Sequence, residues 1–230
     1  MVKLTDRLQL MADFATPGRR IADIGTDHGL LPVYLYEQGI APRAVMCDIS
    51  EPSLAKAKAL AAPLGDSENL IFRAGDGLHV LEAGEVDDIF IAGMGGILIG
   101  DILAEDPAKT GSFRRFILQP RNREAHLRYR LMEMGMNICA NSLVREGRRI
   151  CEIIVAEPGG LSETLPLPDS PQLEMPYEYE RTPDDLIRRY AGMKIEKYEK
   201  IIAGLKAGNA PADGEISSCL DKIEYFRSFL

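Results

Sequence analysis

Short apolar runs and helical patterns alternate along most of this chain, and the alternation breaks once. RRIADIG, RAVMCDI, LIFRAGD, DDIFIAG and RRFILQP each read as a buried strand. Helical patterns fall at 31–38, 52–62, 96–104 and 123–134. Leu4, Leu8, Met11 and Phe14 place one more helix before the first strand, with Thr5 or Asp6 able to cap it. Strands that alternate with helices form a parallel α/β sheet with right-handed crossovers. Then MNICANSLVREG and RRICEIIVAEP follow each other directly, joined at Glu146-Gly147. So tight a connection forces antiparallel pairing. The expected core is therefore a doubly wound, Rossmann-like sheet that ends in an antiparallel strand hairpin.

After Pro158 the pattern changes. LSETLPLPDSPQLEMPYEYERTP is rich in proline and acid and reads as an extended linker or a surface strap. From Pro183 a helical stripe runs through Leu186, Tyr190, Met193, Ile201 and Leu205. Gly208-Asn209-Ala210-Pro211 punctuates it, and Ile216, Leu220, Ile223, Phe226 and Leu230 mark a second helix. Two amphipathic helices with a short turn make an antiparallel, coiled-coil-like hairpin whose stripes form its seam. The expected division is a domain at 1–157, a linker at 158–182 and a helical hairpin at 183–230.

Four scattered cysteines without a C-x-x-C point to reduced, mostly buried thiols and to no metal site. No apolar stretch is long enough to span a bilayer and no signal peptide is read, so a cytoplasmic protein is expected. Net charge is −8 but uneven. Between Ser112 and Arg149, nine arginines (Arg114, Arg115, Arg121, Arg123, Arg128, Arg130, Arg145, Arg148, Arg149) face three acids. That segment is either a polyanion-facing surface or a set of solvated faces.

The first strand runs into ADIGTDHGLLP, a glycine turn opening a helix. Such turns often cradle pyrophosphate on bare backbone. Here only Gly25 and Gly29 are present, and Asp27 stands where phosphate would come. Like charges 4 Å apart cost roughly 4 kcal/mol at an effective dielectric of 20, so phosphate is disfavoured. A ligand that keeps adenosine and replaces phosphate with positive charge fits better. S-adenosyl-L-methionine carries a sulfonium and an ammonium, which Asp23 and Asp27 can face while Gly25 admits the backbone.

The next strand ends in Asp48, 23 residues after Gly25, a spacing that suits a carboxylate accepting from both ribose hydroxyls. Gly75-Asp76-Gly77 ends the third strand, where an aspartate can accept from the adenine amino group. Ala92-Gly93-Met94-Gly95-Gly96 ends the fourth and would border the methyl. Thr26 and Ile49 flank these turns and complete the cofactor set. Acids or glycines at successive carboxyl ends, with the terminal strand hairpin, describe a class I methyltransferase fold. Each Asp taken alone also reads as a cap or turn residue. Asp23 resists that reading, because it lies inside an apolar strand.

LTDRL, ADIGTDHGLLP, CDIS, AGDGL, IAGMGG and FILQP, in this order, resemble the bacterial tRNA (adenine-N1)-methyltransferases that modify adenine 22. The resemblance runs motif by motif through about residue 157 and implies a tRNA partner. It departs after His28, where Gly29 and Leu30 replace the family's small residue and tyrosine. It also suggests that Arg7 reaches the methionine carboxylate, against a plain pairing with Asp6 or Asp13. His28 either contacts the target adenine or takes a proton late, or else it caps the helix or orients the turn. Met94 either sits nearest the transferred methyl or packs in the core. Gly95, Gly96 and Gln119 would border the base, Gln119 otherwise being a structural turn residue. Arg121 and Arg123, with hairpin lysines such as Lys194, Lys197 and Lys200, would line the tRNA path. A monomer or weak dimer is expected. Two rivals stand beside this reading: a methyltransferase of small molecules or proteins, and a non-catalytic module that binds S-adenosylmethionine or RNA.

Overall fold

The computed structural model describes residues 1–65, 68–160, 165–176, 178–208 and 212–230. Seven strands form one sheet: β1 (Ile21–Ile24), β2 (Ala44–Asp48), β3 (Leu70–Ala74), β4 (Asp88–Met94), β5 (Arg115–Pro120), β6 (Met136–Glu146) and β7 (Arg149–Pro158). Their order is β3-β2-β1-β4-β5-β7-β6. The first five run parallel. β7 inserts antiparallel between β5 and β6, as the uninterrupted strand pair requires. The order reverses between β1 and β4, so the crevice of the sheet opens at their carboxyl ends.

Helices α1 (Asp6–Asp13), α2 (Leu30–Glu37) and α3 (Glu51–Ala61) cover one face, and α4 (Gly96–Ala104), α5 (Pro107–Thr110) and α6 (Glu124–Glu133) belong to the other side. Successive strand residues feed alternate cores. Ile89, Ile91, Phe116 and Leu118 pack with Ile99, Leu103, Leu127 and Leu131. Phe90 and Ile117 turn the other way, toward Met11, Leu31, Leu35 and Ala57. Thr5 caps α1 and Ser50 caps α3 through their hydroxyls. Of the cysteines, Cys47 and Cys219 are buried, Cys151 is half-buried and Cys139 is exposed, so the thiols are not mostly interior.

The segment beyond β7 is a packed strap rather than an extended linker. It carries α7 (Pro171–Glu174), and it buries Leu173 and Met175. It is anchored to the sheet: the Ser142 hydroxyl donates to Glu180 O at 2.6 Å, and Leu143 N–H donates to the Thr182 hydroxyl oxygen at 2.8 Å. Leu161–Thr164 and Tyr177, also part of that expected linker, lie outside the described residues, as do Asn209–Pro211 of the expected break.

The hairpin helices are α8 (Asp184–Ala207) and α9 (Asp213–Arg227). Tyr190, Ile223 and Phe226 are buried as the stripes predict, but Met193, Ile201, Leu220 and Leu230 are exposed. Ala191, Lys194, Tyr198, Ile202, Cys219 and Lys222 occupy the interior instead. An all-apolar seam misses this because the strap supplies carboxylates. Glu174 receives the Lys194 ammonium at 3.0 Å, and Asp169 receives that of Lys222. Paired in this way, the lysine stems pack while their heads stay neutralised.

Candidate active site

One cleft of about 490 Å³ sits at the carboxyl ends of β1, β2, β3 and β4. Arg7, Asp23, Gly25, Thr26, Asp27, His28, Asp48, Ile49, Gly75, Asp76, Gly77, Ala92, Gly93 and Met94 all line it. The residues expected on adenosine, on the methionyl end and around the methyl therefore converge on one space. Gly95, Gly96, Gln119, Arg121 and Arg123 do not line it.

The acidic turn is built by backbone. After β1, the N–H groups of Gly25 and Thr26 both donate to Cys47 O, at 2.8 and 2.9 Å, which folds the turn toward β2. Gly25 and Gly29 hold φ near +74° and +70°, and Asp27 also lies in the left-handed region. Gly29 starts α2 where a Cβ would meet Ala57, so α2 and α3 approach closely only with glycine there.

The carboxylates play different parts. Asp23 is buried and accepts from the Thr26 hydroxyl at 2.7 Å. Burial raises its pKa to about 6, helped by the charge of Asp48 and opposed by Thr26 and Arg7. Asp48 accepts from the N–H of Asp27 at 3.0 Å and of Ser50 at 2.8 Å, so its carboxylate is fixed at the cleft wall. Asp27 is exposed and lies 3.1 Å from Nδ1 of His28, itself half-exposed. A buried, unneutralised carboxylate beside two further acids is a setting for a cation, not for phosphate. Those acids and the close-approach turns at Gly25 and Gly93 fit the sulfonium, ammonium and adenosine of S-adenosylmethionine.

Arg7 pairs with neither Asp6 nor Asp13. Its Nε donates to Glu146 Oε2 and its Nη1 to Gln119 Oε1, both at 3.1 Å. Gln119 is buried; its Oε1 also accepts from Gly93 N–H at 3.1 Å, and its amide donates to Pro120 O at 2.7 Å. Its protein partners turn it inward as a brace, so the structure does not place it against a base. Gly96 is a packing glycine, since a Cβ would meet Arg123 O at 2.6 Å where α4 passes under the β5–α6 loop.

Sequence reasoning missed the apolar walls: Leu8, Ile24, Leu30, Leu31, Leu98 and Ile102 also line the cleft. Leu98 gave no signal in the apolar run GILIGDIL, yet it stands half-exposed in the first turn after the glycines. Glu146 had no local signal, being 139 residues from the arginine it holds.

The arginine block divides. Arg128 is buried, paired with Glu152 and donating to Leu173 O at 2.5 Å. Arg114, Arg115 and Arg130 pair with Asp87, Glu157 and Glu133. Arg128 is thus an interior partner, while Arg114, the most exposed of the other three, and Arg115 and Arg130 are ion-paired nearer the surface. Arg121 and Arg123 are exposed and line a second cavity of about 720 Å³ with Asn122, His126, Tyr129, Lys194 and Lys197. It lies between the β5–α6 loop and α8, beside the β4 turn, where Arg121 N–H donates to Met94 O at 2.8 Å. Lys194 is held inside by Glu174, and so it is not a free cation.

A family model described as a methyltransferase domain matches residues 4–154. The tRNA (adenine(22)-N(1))-methyltransferase of Bacillus subtilis is 36% identical over 158 residues, 69% of this chain and 66% of that protein, just under two thirds of its length. The crystal structure of the B. subtilis M1A22 tRNA methyltransferase TrmK superposes with a TM-score of 0.81 at 28% identity, covering 100% of this chain and 99% of that one. A Streptococcus pneumoniae structure in complex with S-adenosyl-L-methionine gives 0.78 at 30% identity over 100% of both chains.

Proposed function

The chain belongs to the family of S-adenosylmethionine-dependent tRNA (adenine(22)-N(1))-methyltransferases, and from that premise we infer that it methylates N1 of adenine 22 in tRNA. The observation that carries the reading is the cleft, where acids and glycine turns from four strand ends converge. Bound there, S-adenosylmethionine supplies an electrophilic methyl on a sulfonium. Asp48 holds the ribose hydroxyls, Asp76 the adenine amino group, and Arg7 the methionyl carboxylate. Asp23 and Asp27 balance the positive charges.

N1 of adenine is a neutral nucleophile, and its methylation leaves a cationic ring. No residue has to remove a proton before attack, so positioning carries most of the rate. N1 lies on the pairing edge, so the base enters unpaired or extruded. Met94 and the Gly93 backbone border the space it enters, with Leu98 as an apolar wall. His28, at the cleft rim, contacts the base. The cavity lined by Arg121, Arg123, His126 and Lys197 takes the adjoining RNA backbone, and the 183–230 hairpin extends that path. The protein works in the cytoplasm, where its tRNA is, as a monomer or weak dimer.

The test is transfer of labelled methyl to bulk tRNA from a strain lacking the enzyme, with mapping of the product. One 1-methyladenine at position 22 is expected. Label on protein or on small molecules, with tRNA unlabelled, would refute the assignment.

A further inference from the structure

The tip of the strand hairpin reaches back to the first helix, and nothing in the cofactor chemistry itself asks for that contact. Glu146 ends β6 and Arg7 lies in the first turn of α1. Both side chains are half-buried where they meet, and the contact is a 3.1 Å hydrogen bond from Nε to a carboxylate oxygen. Although burial favours its neutral form, Glu146 has a lowered pKa through Thr5 and Arg7, so it stays charged at neutral pH. Thr5 is also the cap of α1. The same guanidinium gives Nη1 to Gln119 Oε1, which accepts in addition from Gly93 N–H in the β4 turn. Arg7 thus has one tether on each side, and its other N–H donors have no protein partner among the described residues while it lines the cleft.

We propose that Glu146 is a positioning residue for methyl transfer: with Gln119 it locks the Arg7 guanidinium in the orientation that receives the methionyl carboxylate. The proposal rests on reading the cleft as the cofactor site. A free arginine side chain loses much rotamer freedom when it binds an anion, and a pre-tethered one does not. Glu146 also brings a negative charge that opposes a second carboxylate at Arg7. The two effects have opposite signs, so substitutions can separate them.

The probes are S-adenosylmethionine and its decarboxylated form, which differ only in the carboxylate, titrated calorimetrically on the full chain. Wild type should prefer the former by about ten- to a hundred-fold, the range of a charge-assisted hydrogen bond. Glu146→Ala should shrink the preference to about threefold or less, leaving affinity for the decarboxylated form within about twofold. Glu146→Gln keeps an acceptor for Nε and should retain most of the preference. A general folding defect weakens both probes together, and that result overturns the proposal. A preference unchanged or increased in Glu146→Ala also overturns it, the latter marking Glu146 as a competing anion. A wild type that binds both probes without preference removes Arg7 as the carboxylate site, and Glu146 with it. A wild type that binds neither probe overturns the reading of the cleft as well.

Discussion

Met94 lies against Gly25 across the floor of the cleft, so closely that a Cβ on residue 25 would overlap the methionine's terminal methyl. Gly25 also holds φ at +74°. Gly25→Ala therefore meets two separate penalties. Left-handed backbone strain is about 1–2 kcal/mol and belongs to the turn. The overlap belongs to Met94, whose flexible end can move, but into the cofactor space. Gly25→Ala should lower both stability and S-adenosylmethionine affinity. Adding Met94→Ala should recover affinity but not the strain. Denaturant unfolding and calorimetric titration of the four proteins check this; strictly additive effects on affinity would show that the two residues do not meet in solution.

Asp23 should make cofactor binding pH-dependent. Its pKa is about 6 against an ordinary value near 3.8, because burial penalises the charge. A raised carboxyl pKa means that the folded protein binds the proton more tightly than the unfolded chain. The ligand-free protein thus gains stability from this group as pH falls through about 6 toward 4, and lacks that gain above it. The cationic ligand favours the carboxylate, so affinity should run the opposite way, falling about tenfold between pH 7 and pH 5. Titration in buffers of different ionisation enthalpy should show proton release on binding near pH 6. Asp23→Asn should abolish that release, and a pH profile left intact in this variant would assign the titration elsewhere.

Arg128 carries a prediction about the strap. It is fully buried, paired with Glu152, and bonded to Asn141 and to the Leu173 carbonyl. Arg128→Ala leaves Glu152 buried and unpaired, an effect of about 3–5 kcal/mol. Replacing both partners with methionine should recover much of that loss. The denaturation midpoints of the single and double variants provide the comparison. A single variant within about 1 kcal/mol of wild type would mean that the pair is hydrated in solution.

Arg128 also shows where sequence reading stops. The alternation of strands and helices, and the acids and glycines at Asp23, Gly25, Asp48, Asp76 and Gly93, were legible because each rests on local backbone and pattern. What a cation pairs with is a long-range fact. Arg128 meets Glu152 across 24 residues, and Arg7 meets Glu146 across 139. In sequence, Arg128 is indistinguishable from Arg121. Lys194 and Lys222 likewise look solvent-facing until the acidic strap is laid over them. The apolar wall at Leu98 was hidden for the opposite reason: a leucine in an apolar helix reads as core.

The last prediction uses that division of the cations. Arg121 and Arg123 follow β5 and line the cavity beside the β4 turn, and both are exposed. If RNA phosphates lie there, each phosphate left without its arginine should flatten the log–log salt dependence of tRNA binding by roughly 0.7–0.9. Arg123 sits at φ +58°, so Arg123→Gly removes the charge without adding backbone strain, and Arg121→Ala suffices at its neighbour. Each should reduce the slope by about one unit and leave S-adenosylmethionine affinity unchanged. Lys194→Met is the control. Its ammonium is buried against Glu174, so stability should change while the salt slope stays as in wild type. Filter-binding isotherms from about 50 to 200 mM salt would measure all three slopes. If Lys194→Met flattens the slope and the arginine variants do not, the RNA path runs along the hairpin interior and not through this cavity.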